Sequence, residues 1–196
     1  MKRIILSLVI LVGVTLTQAN AQTALSGGIK TGANMSNFLL NKMDGTESRM
    51  KVGAEFGGFM KIEFSENFAL QPELLFRYQA SDLKDKGTNA KTDFEYWGVE
   101  LPVYAVGQIK MGTGKGFIGI GPYVGLGFDL KGKPGKIDMY KHDMERFDFG
   151  GGALLGYEFN NDIIINAGYQ IGFLDLKKNA GEMRSQSISF GVGYKF

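Results

Sequence analysis

The residue best suited to acid–base or metal chemistry is the single histidine, His142, which lies in a charged segment with Asp138, Asp143 and Glu145. An imidazole with nearby carboxylates can hold zinc or serve as the base of a lipid-modifying barrel enzyme. These carboxylates lack the fixed ligand spacing of metal sites, and no serine precedes His142 in a nucleophile motif. The pattern favours a solvated charged loop, and we expect neither a metal ion nor a catalytic residue there.

Three short motifs resemble catalytic or phosphate-binding signatures. Ser81-Asp-Leu-Lys84 matches S-x-x-K, and Lys30-Thr-Gly32 matches K-T-G. In penicillin-binding enzymes the two occur in the opposite order, with the serine on a helix. Gly112-Thr-Gly-Lys-Gly116 lacks the G-x-x-x-x-G-K-[ST] spacing of a phosphate loop. We therefore expect no enzyme and no cofactor.

Charged residues of both signs recur on one face of segments that alternate with period two. They are Lys30, Glu55, Lys61, Glu63, Glu73, Arg77, Glu100, Glu158 and Lys195. If that face is enclosed, its charges form either a narrow polar pore, a small-ligand site or a salt-bridged plug. The interior of an eight-stranded barrel is about filled by side chains, which favours the plug.

Eight alternating segments are the elements that must position these charges. They lie at about 25–36, 52–64, 68–79, 94–109, 117–129, 147–159, 163–174 and 185–196. Their connections are short at 65–67, 110–116 and 160–162, and longer and polar at 37–51, 80–93, 130–146 and 175–184. Short turns on one side and long loops on the other are typical of bacterial outer-membrane barrels. The sequence thus predicts an all-β fold, an eight-stranded antiparallel up-and-down transmembrane β-barrel with four long extracellular loops and periplasmic termini.

Alternation alone does not say which face is inside, since a soluble ligand-binding barrel would turn its apolar face inward. The polar face here is glycine-rich, as a narrow interior requires, and its charges are balanced. Aromatic residues also gather at both strand ends, as in interfacial girdles. They are Phe64, Phe68, Phe117, Tyr157, Phe159, Tyr194 and Phe196 at one end and Phe38, Tyr78, Trp97, Phe128, Phe149 and Phe173 at the other. We therefore expect the apolar face to meet lipid.

Three prolines interrupt the predicted strands. Pro72, Pro102 and Pro122 each lack the N–H that a strand needs for its ladder, and a closed barrel has no edge to hide the loss. Each should mark a bulge or a weak point in the sheet.

The amino-terminal 21 residues read as a signal peptide. Lys2 and Arg3 precede an apolar run from Ile4 to Leu16, and Ala19-Asn-Ala21 forms an A-x-A cleavage site. Residues 22–196 would then form one barrel domain with twenty basic and twenty acidic residues and no cysteine. This near-neutral balance gives no reason to expect nucleic-acid binding. The chain is expected in the cell outer membrane, exported through this signal.

The carboxy-terminal strand alternates large apolar and small or polar residues and ends on Tyr194, Lys195 and Phe196. A terminal aromatic pair of this kind predicts a signal for the barrel-assembly machinery. The alternative is ordinary strand packing.

Several stretches resemble the PorT-like family of outer-membrane β-barrel proteins. They are Gly28–Phe38, Leu70–Phe76, Val99–Val103, Gly121–Gly125 and Gly191–Phe196, of which Leu70-Gln-Pro-Glu-Leu-Leu-Phe76 and Val99-Glu-Leu-Pro-Val103 are the more specific. The resemblance implies an eight-stranded outer-membrane barrel and accounts for the strand prolines. The family's founding member is linked to protein secretion.

Together these features predict a monomeric barrel of structural or interaction type. It would sit in outer-membrane lipid and meet an unidentified extracellular or envelope protein through its loops. The alternatives are an accessory barrel of a secretion system, a lipid-modifying enzyme that uses His142, and a soluble periplasmic ligand-binding barrel.

Overall fold

The computed structural model describes residues 24–41, 46–85, 91–133, 137–138, 145–176 and 182–196. The predicted signal peptide and His142 lie outside these ranges. The strands are β1 (Ala24–Asn41), β2 (Thr46–Ser65), β3 (Phe68–Asp85), β4 (Lys91–Met111), β5 (Gly114–Lys133), β6 (Ile137–Asp138), β7 (Phe147–Glu158), β8 (Ile163–Gly172) and β9 (Glu182–Lys195). No helix in the described ranges is long and apolar enough to cross a membrane.

All strands belong to one antiparallel sheet that closes on itself. Each long strand pairs with its neighbour in the chain, and β1 also pairs with β9, with Gly28 opposite Lys195. The short strand β6 pairs only with β5 among the described strands, through Lys131 and Gly132. The remaining eight strands form a closed barrel, which confirms the predicted fold class.

The apolar face points outward. Phe56 on β2, Ile118 on β5 and Phe190 on β9 each expose more than half of their surface, whereas the charged positions of the opposite face are buried or, at Glu63 and Lys195, partly buried. This arrangement confirms the predicted assignment of the two faces. Ile62 falls on the apolar face by the alternation of β2, yet it is fully buried, beside a register shift between Glu63 and Ser65.

The strands extend further into the predicted long connections than the sequence indicated. β1 continues to Asn41 and β2 begins at Thr46, so most of the predicted loop 37–51 is strand. β3 and β4 likewise occupy most of the predicted loop 80–93. Beyond the apolar belt both faces of a strand can meet water, so the alternation that marks a strand fades while the backbone pairing continues. The prediction of long loops is therefore wrong for these two connections.

The prolines interrupt the ladders without shifting them. Pro72, Pro102 and Pro122 each coincide with a gap in one ladder, and the register is the same on both sides of each gap. A missing N–H removes hydrogen bonds at one level but adds no residue to the strand. The expected weak points are confirmed and the expected bulges are not. The register shifts lie instead between Met50 and Ala54, Glu63 and Ser65, and Trp97 and Gly98.

Candidate functional site: the barrel interior

The central feature of the interior is the guanidinium of Arg77 on β3, whose side chain is 3% exposed. Arg77 Nη2 lies 2.8 Å from Glu55 Oε2 on β2, and Nη1 lies 2.8 Å from Glu100 Oε2 on β4. Nη1 also donates to Gln170 Oε1 on β8 and, at 3.4 Å, to Ser187 Oγ on β9. Since β3 and β8 are four strands apart in an eight-stranded barrel, this group of contacts crosses the lumen.

A second ion pair links β1 with β3. Lys30 Nζ donates to Glu73 Oε2 at 2.9 Å, and Gln71 Nε2 donates to Glu73 Oε1 at 2.8 Å. All three residues are buried. Each oxygen of the Glu73 carboxylate therefore has a donor, which is the condition for holding a buried charge at low cost.

The end of the lumen nearer the short turns holds a second charged layer. Lys61 Nζ on β2 lies 2.8 Å from Glu158 Oε2 on β7, and Lys195 on β9 pairs with the other oxygen of Glu158. β2 and β7 are also on opposite sides of the barrel. Nearby, Glu63 Oε1 accepts from Gln108 Nε2 at 2.6 Å and from Lys115 Nζ at 3.1 Å.

An apolar layer separates the two charged layers, and sequence reasoning missed it. On β2 the inward positions run from Glu55 through Phe59 to Lys61, so Phe59 lies between the charges. The buried cluster contains Phe59, Ala69, Tyr104, Val106, Phe117, Leu154 and Ile164. Phe117 was assigned to the lipid girdle. Its neighbour Ile118 faces outward, however, and adjacent side chains of a strand point to opposite faces, so Phe117 faces inward. This layer makes the interior mixed rather than wholly polar.

Glycines on the wall make room for these rings. A Cβ on Gly28 would lie 2.3 Å from Cζ of Phe59, and a Cβ on Gly156 would lie 2.3 Å from Cζ of Phe117. The sequence signal for this apolar layer was Phe59, which stands among the glycines and charges of the polar face. An aromatic residue at such a position indicates an interior ring packed on a bare backbone.

Towards the end of the barrel that carries the longer connections, three oxygens lie within hydrogen-bonding distance of one another. Tyr123 Oη donates to Asp148 Oδ2 at 2.9 Å, and Ser185 Oγ donates to the same oxygen at 2.5 Å. Tyr123 Oη and Ser185 Oγ are themselves 3.0 Å apart. Asp148 and Ser185 also line a cavity of about 50 Å³ inside the barrel end.

A second apolar cluster closes that end. It contains Phe94, Leu130, Leu176 and Met183, with Phe38 and Tyr96 packed against it. The rings of Phe38 and Phe94 meet edge to face with centroids 5.9 Å apart. Phe38, like Phe117, was assigned to the lipid girdle and instead joins an interior cluster.

The larger concave surface lies outside the barrel. Its apolar lining includes Ile118, Leu155, Ile165 and Val192, all of which are exposed outward-facing side chains. A hollow made by such side chains belongs to the lipid-facing belt, so it gives no reason to place a ligand site there.

All nine of the charged residues singled out from the sequence lie on the inner face, and the ion pairs above include each of them. Their role as a plug stays a prediction.

Tyr194 and Phe196 face outward and are half and three-quarters exposed. Phe196 N donates to Gly27 O at 2.8 Å, so the last residue extends the β1–β9 seam. Its reading as an assembly signal also stays a prediction.

The described part of the chain contains no candidate metal site. No group of three or more His, Cys, Asp or Glu side chains there could hold a metal ion. Of the carboxylates near His142, Asp138 and Glu145 lie within the described ranges, whereas Asp143 and His142 itself lie outside them, so the sequence argument about that loop is unchanged.

Comparison with known proteins identifies relatives of this architecture. The family described as "Outer membrane protein beta-barrel domain" matches residues 18–178. The outer membrane protein OprG from Pseudomonas aeruginosa is similar in structure, with 16% identity and a TM-score of 0.55 over 90% of this chain and 98% of that chain. Neisserial surface protein A is similar with 15% identity and a TM-score of 0.51, over 88% and 99% of the two chains. A search of the curated proteins finds no match. At these identities the structural likeness shows the fold alone.

Proposed function

Because this chain belongs to the outer membrane protein beta-barrel domain family, we propose that it is an integral outer-membrane protein whose barrel is a closed scaffold for contacts at its extracellular end. The outward apolar belt would lie in outer-membrane lipid. The protein would act through its connections rather than through catalysis or cofactor chemistry. It would work as a monomer with an extracellular or envelope protein as its partner.

The observation that carries this proposal is the filled lumen. Arg77 bridges from one wall to the other, and Lys61 with Glu158 does the same nearer the periplasm. The apolar layer around Phe59 and Phe117 lies between them. An ion would have to break a buried ion pair and pass an apolar layer, and both steps are costly. A scaffold role therefore fits the interior better than a pore.

The residues on which the resemblance to the PorT-like family rests form ion pairs inside the barrel. Glu73, from the Gln71-Pro-Glu73 piece, holds Lys30, while Glu100, beside Pro102, holds Arg77. These motif residues therefore have structural partners within the chain. A secretion-accessory role would have to come from other surfaces, and we propose only the broader scaffold role.

Insertion would be guided by the closing strand. Tyr194 and Phe196 present exposed rings on the outward face of β9, next to the seam with β1. We propose that the barrel-assembly machinery reads this end of the strand as the sheet closes.

Conductance measurement tests the closed scaffold directly. Purified protein in planar lipid bilayers should show no steady ionic current. The variant Arg77→Ala should increase current, because it removes the group that bridges Glu55, Glu100 and Gln170. Lys110→Ala, an exposed change near the end of β4, is the control and should stay silent. Steady single-channel current from the wild-type protein would contradict the closed scaffold and favour a pore.

Co-purification from gently solubilised outer membranes tests the interaction role. A stable envelope protein partner would support it, and a secretion component among the partners would favour the accessory alternative. A protein recovered alone after chemical cross-linking of intact cells would count against an interaction role.

A further inference from the structure

Two polar side chains on one wall of the cavity of about 50 Å³ have no partner within the described ranges. They are Gln79 and Ser81, at successive inward positions of β3, and Ser81 is only 4% exposed. Neither side chain makes a hydrogen bond to another described residue. Buried polar groups in native proteins almost always have a partner, so an unpaired hydroxyl indicates a water or a ligand in front of it.

The carboxylates around the cavity already have partners within the protein. Glu100 Oε2 lies 2.8 Å from Arg77 Nη1. Asp148 Oδ2 accepts from the hydroxyls of Tyr123 and Ser185, and Asp148 Oδ1 accepts a backbone N–H at 2.8 Å. The unsatisfied groups on the wall are instead neutral, an amide and a hydroxyl, and each can both donate and accept. They fit a neutral ligand with hydroxyl groups better than an ion.

The volume and the remaining walls limit what can bind. A water takes roughly 10–15 Å³ by this kind of measure, so the cavity holds roughly three to five water-sized groups. Phe94, Leu130 and Leu176 of the second apolar cluster also line it. Water would satisfy the polar wall alone, whereas a molecule with both hydroxyl and C–H groups matches both walls. Glu145 and Arg146 line the same cavity and are exposed, so it reaches the surface at this end of the barrel.

We infer that this cavity binds a small neutral vicinal diol, free or at the end of a longer polyol. Two carbons and two hydroxyls fill the volume. The hydroxyls would exchange hydrogen bonds with Gln79 and Ser81, and the carbons would pack on the apolar wall at Phe94. The site goes beyond the scaffold role and does not depend on any protein partner.

Saturation-transfer-difference NMR on the full folded barrel tests the site, in a zwitterionic detergent that carries no hydroxyl groups. Ethylene glycol, the smallest vicinal diol, is the probe, and ethanol, which lacks one of its hydroxyls, is the matched comparison. We expect saturation transfer to ethylene glycol and several-fold less to ethanol. Sorbitol added in competition distinguishes the two sources of the diol. Displacement of ethylene glycol would assign the cavity to the end of a longer polyol, and no displacement would restrict it to small free diols.

Two variants and a control locate the binding. Ser81→Ala and Gln79→Met remove the polar groups, and neither change breaks a hydrogen bond between described side chains, so circular dichroism should show wild-type sheet content. Both should reduce the transfer to ethylene glycol several-fold. Ser26→Ala is the control, because Ser26 Oγ is also a buried hydroxyl without a partner but lies on β1 opposite Lys61, near the short turns. This variant should keep wild-type transfer.

Two results would overturn the diol site. Transfer to ethylene glycol that is no greater for the folded wild-type protein than for boiled protein would leave the cavity to water. Equal transfer in Ser81→Ala, Gln79→Met and Ser26→Ala would place the binding elsewhere. Neither result touches the closed scaffold, which is tested separately by conductance.

Discussion

Arg77 on β3 donates through Nη1 to Gln170 Oε1 on the opposite wall of the barrel, on β8. The same nitrogen lies 2.8 Å from Glu100 Oε2, so one side chain links three strands across the lumen. A closed sheet of glycine-rich strands would otherwise enclose a void at this level, and the long guanidinium side chain fills it. The interior is thus held by cross-lumen contacts as well as by the ladders of the sheet.

Replacement of Arg77 by alanine should destabilise the barrel. The change leaves Glu55 and Glu100 buried without their cation, which typically costs about 3–5 kcal/mol. Urea unfolding followed by Trp97 fluorescence should show the loss as a lower midpoint. Lys110→Ala removes an exposed cation and should leave the midpoint within error. An unchanged midpoint for Arg77→Ala would remove the plug interpretation.

A methyl group at Gly156 should disturb the apolar layer. The new Cβ would lie 2.3 Å from Cζ of Phe117 and 2.6 Å from the carbonyl oxygen of Ile165, so the ring or the strand must move. Overpacking of this kind costs about 1–3 kcal/mol. The matched control is Gly107→Ala, whose Cβ would meet nothing closer than 4.0 Å. Equal midpoints for the two variants would contradict the packing of Phe117 on Gly156.

Tyr157 stabilises the turn between β4 and β5 through two hydrogen bonds. Its hydroxyl donates to Met111 O at 2.6 Å and accepts from Gly114 N at 3.1 Å. Tyr157→Phe removes both hydrogen bonds and should cost about 1–3 kcal/mol, since the usual net value of each is about 0.5–1.5 kcal/mol. Hydrogen exchange at the Gly114 amide should accelerate. Tyr169→Phe, on the outward face of β8, provides the control, and equal exchange in both variants would count against the fastening role.

Deletion of Phe196 should reduce insertion into the outer membrane. Phe196 is three-quarters exposed and its backbone completes the seam with Gly27, so the deletion removes an outward ring and two seam hydrogen bonds. Immunoblots of the outer-membrane fraction measure the effect. Phe64→Ala removes another outward aromatic at the end of a strand but leaves the carboxy-terminus intact. Wild-type levels of the deletion would refute the assembly signal.

The sequence was sufficient for strand number and for the orientation of the faces, because period-two alternation is strong where one side meets lipid and the other meets the lumen. Glu55 and Phe56 illustrate this, since one is buried and its neighbour is exposed. The same signal fails towards the longer connections, where β2 and β3 remain paired from Met50 and Ser81 to Thr46 and Asp85 although the sequence there is polar and predicted loops.

Partners across the lumen could not be derived from the sequence. The pairing of Lys61 with Glu158 depends on which strands end up opposite after closure, and this follows from the stagger of all eight strands rather than from local pattern. Inward aromatic residues were assigned outward for a related reason. Phe117 and Ile118 are both apolar, so alternation does not say which of them faces lipid.

The measurement that tests the central claim most directly is outer-membrane fractionation followed by gel electrophoresis in SDS with and without boiling. A closed transmembrane barrel should fractionate with the outer membrane and stay folded in cold SDS, so the unboiled sample should migrate at a different position from the boiled one. A soluble protein with a single mobility would contradict the account, because it would require the exposed belt around Phe56, Ile118 and Phe190 to face water.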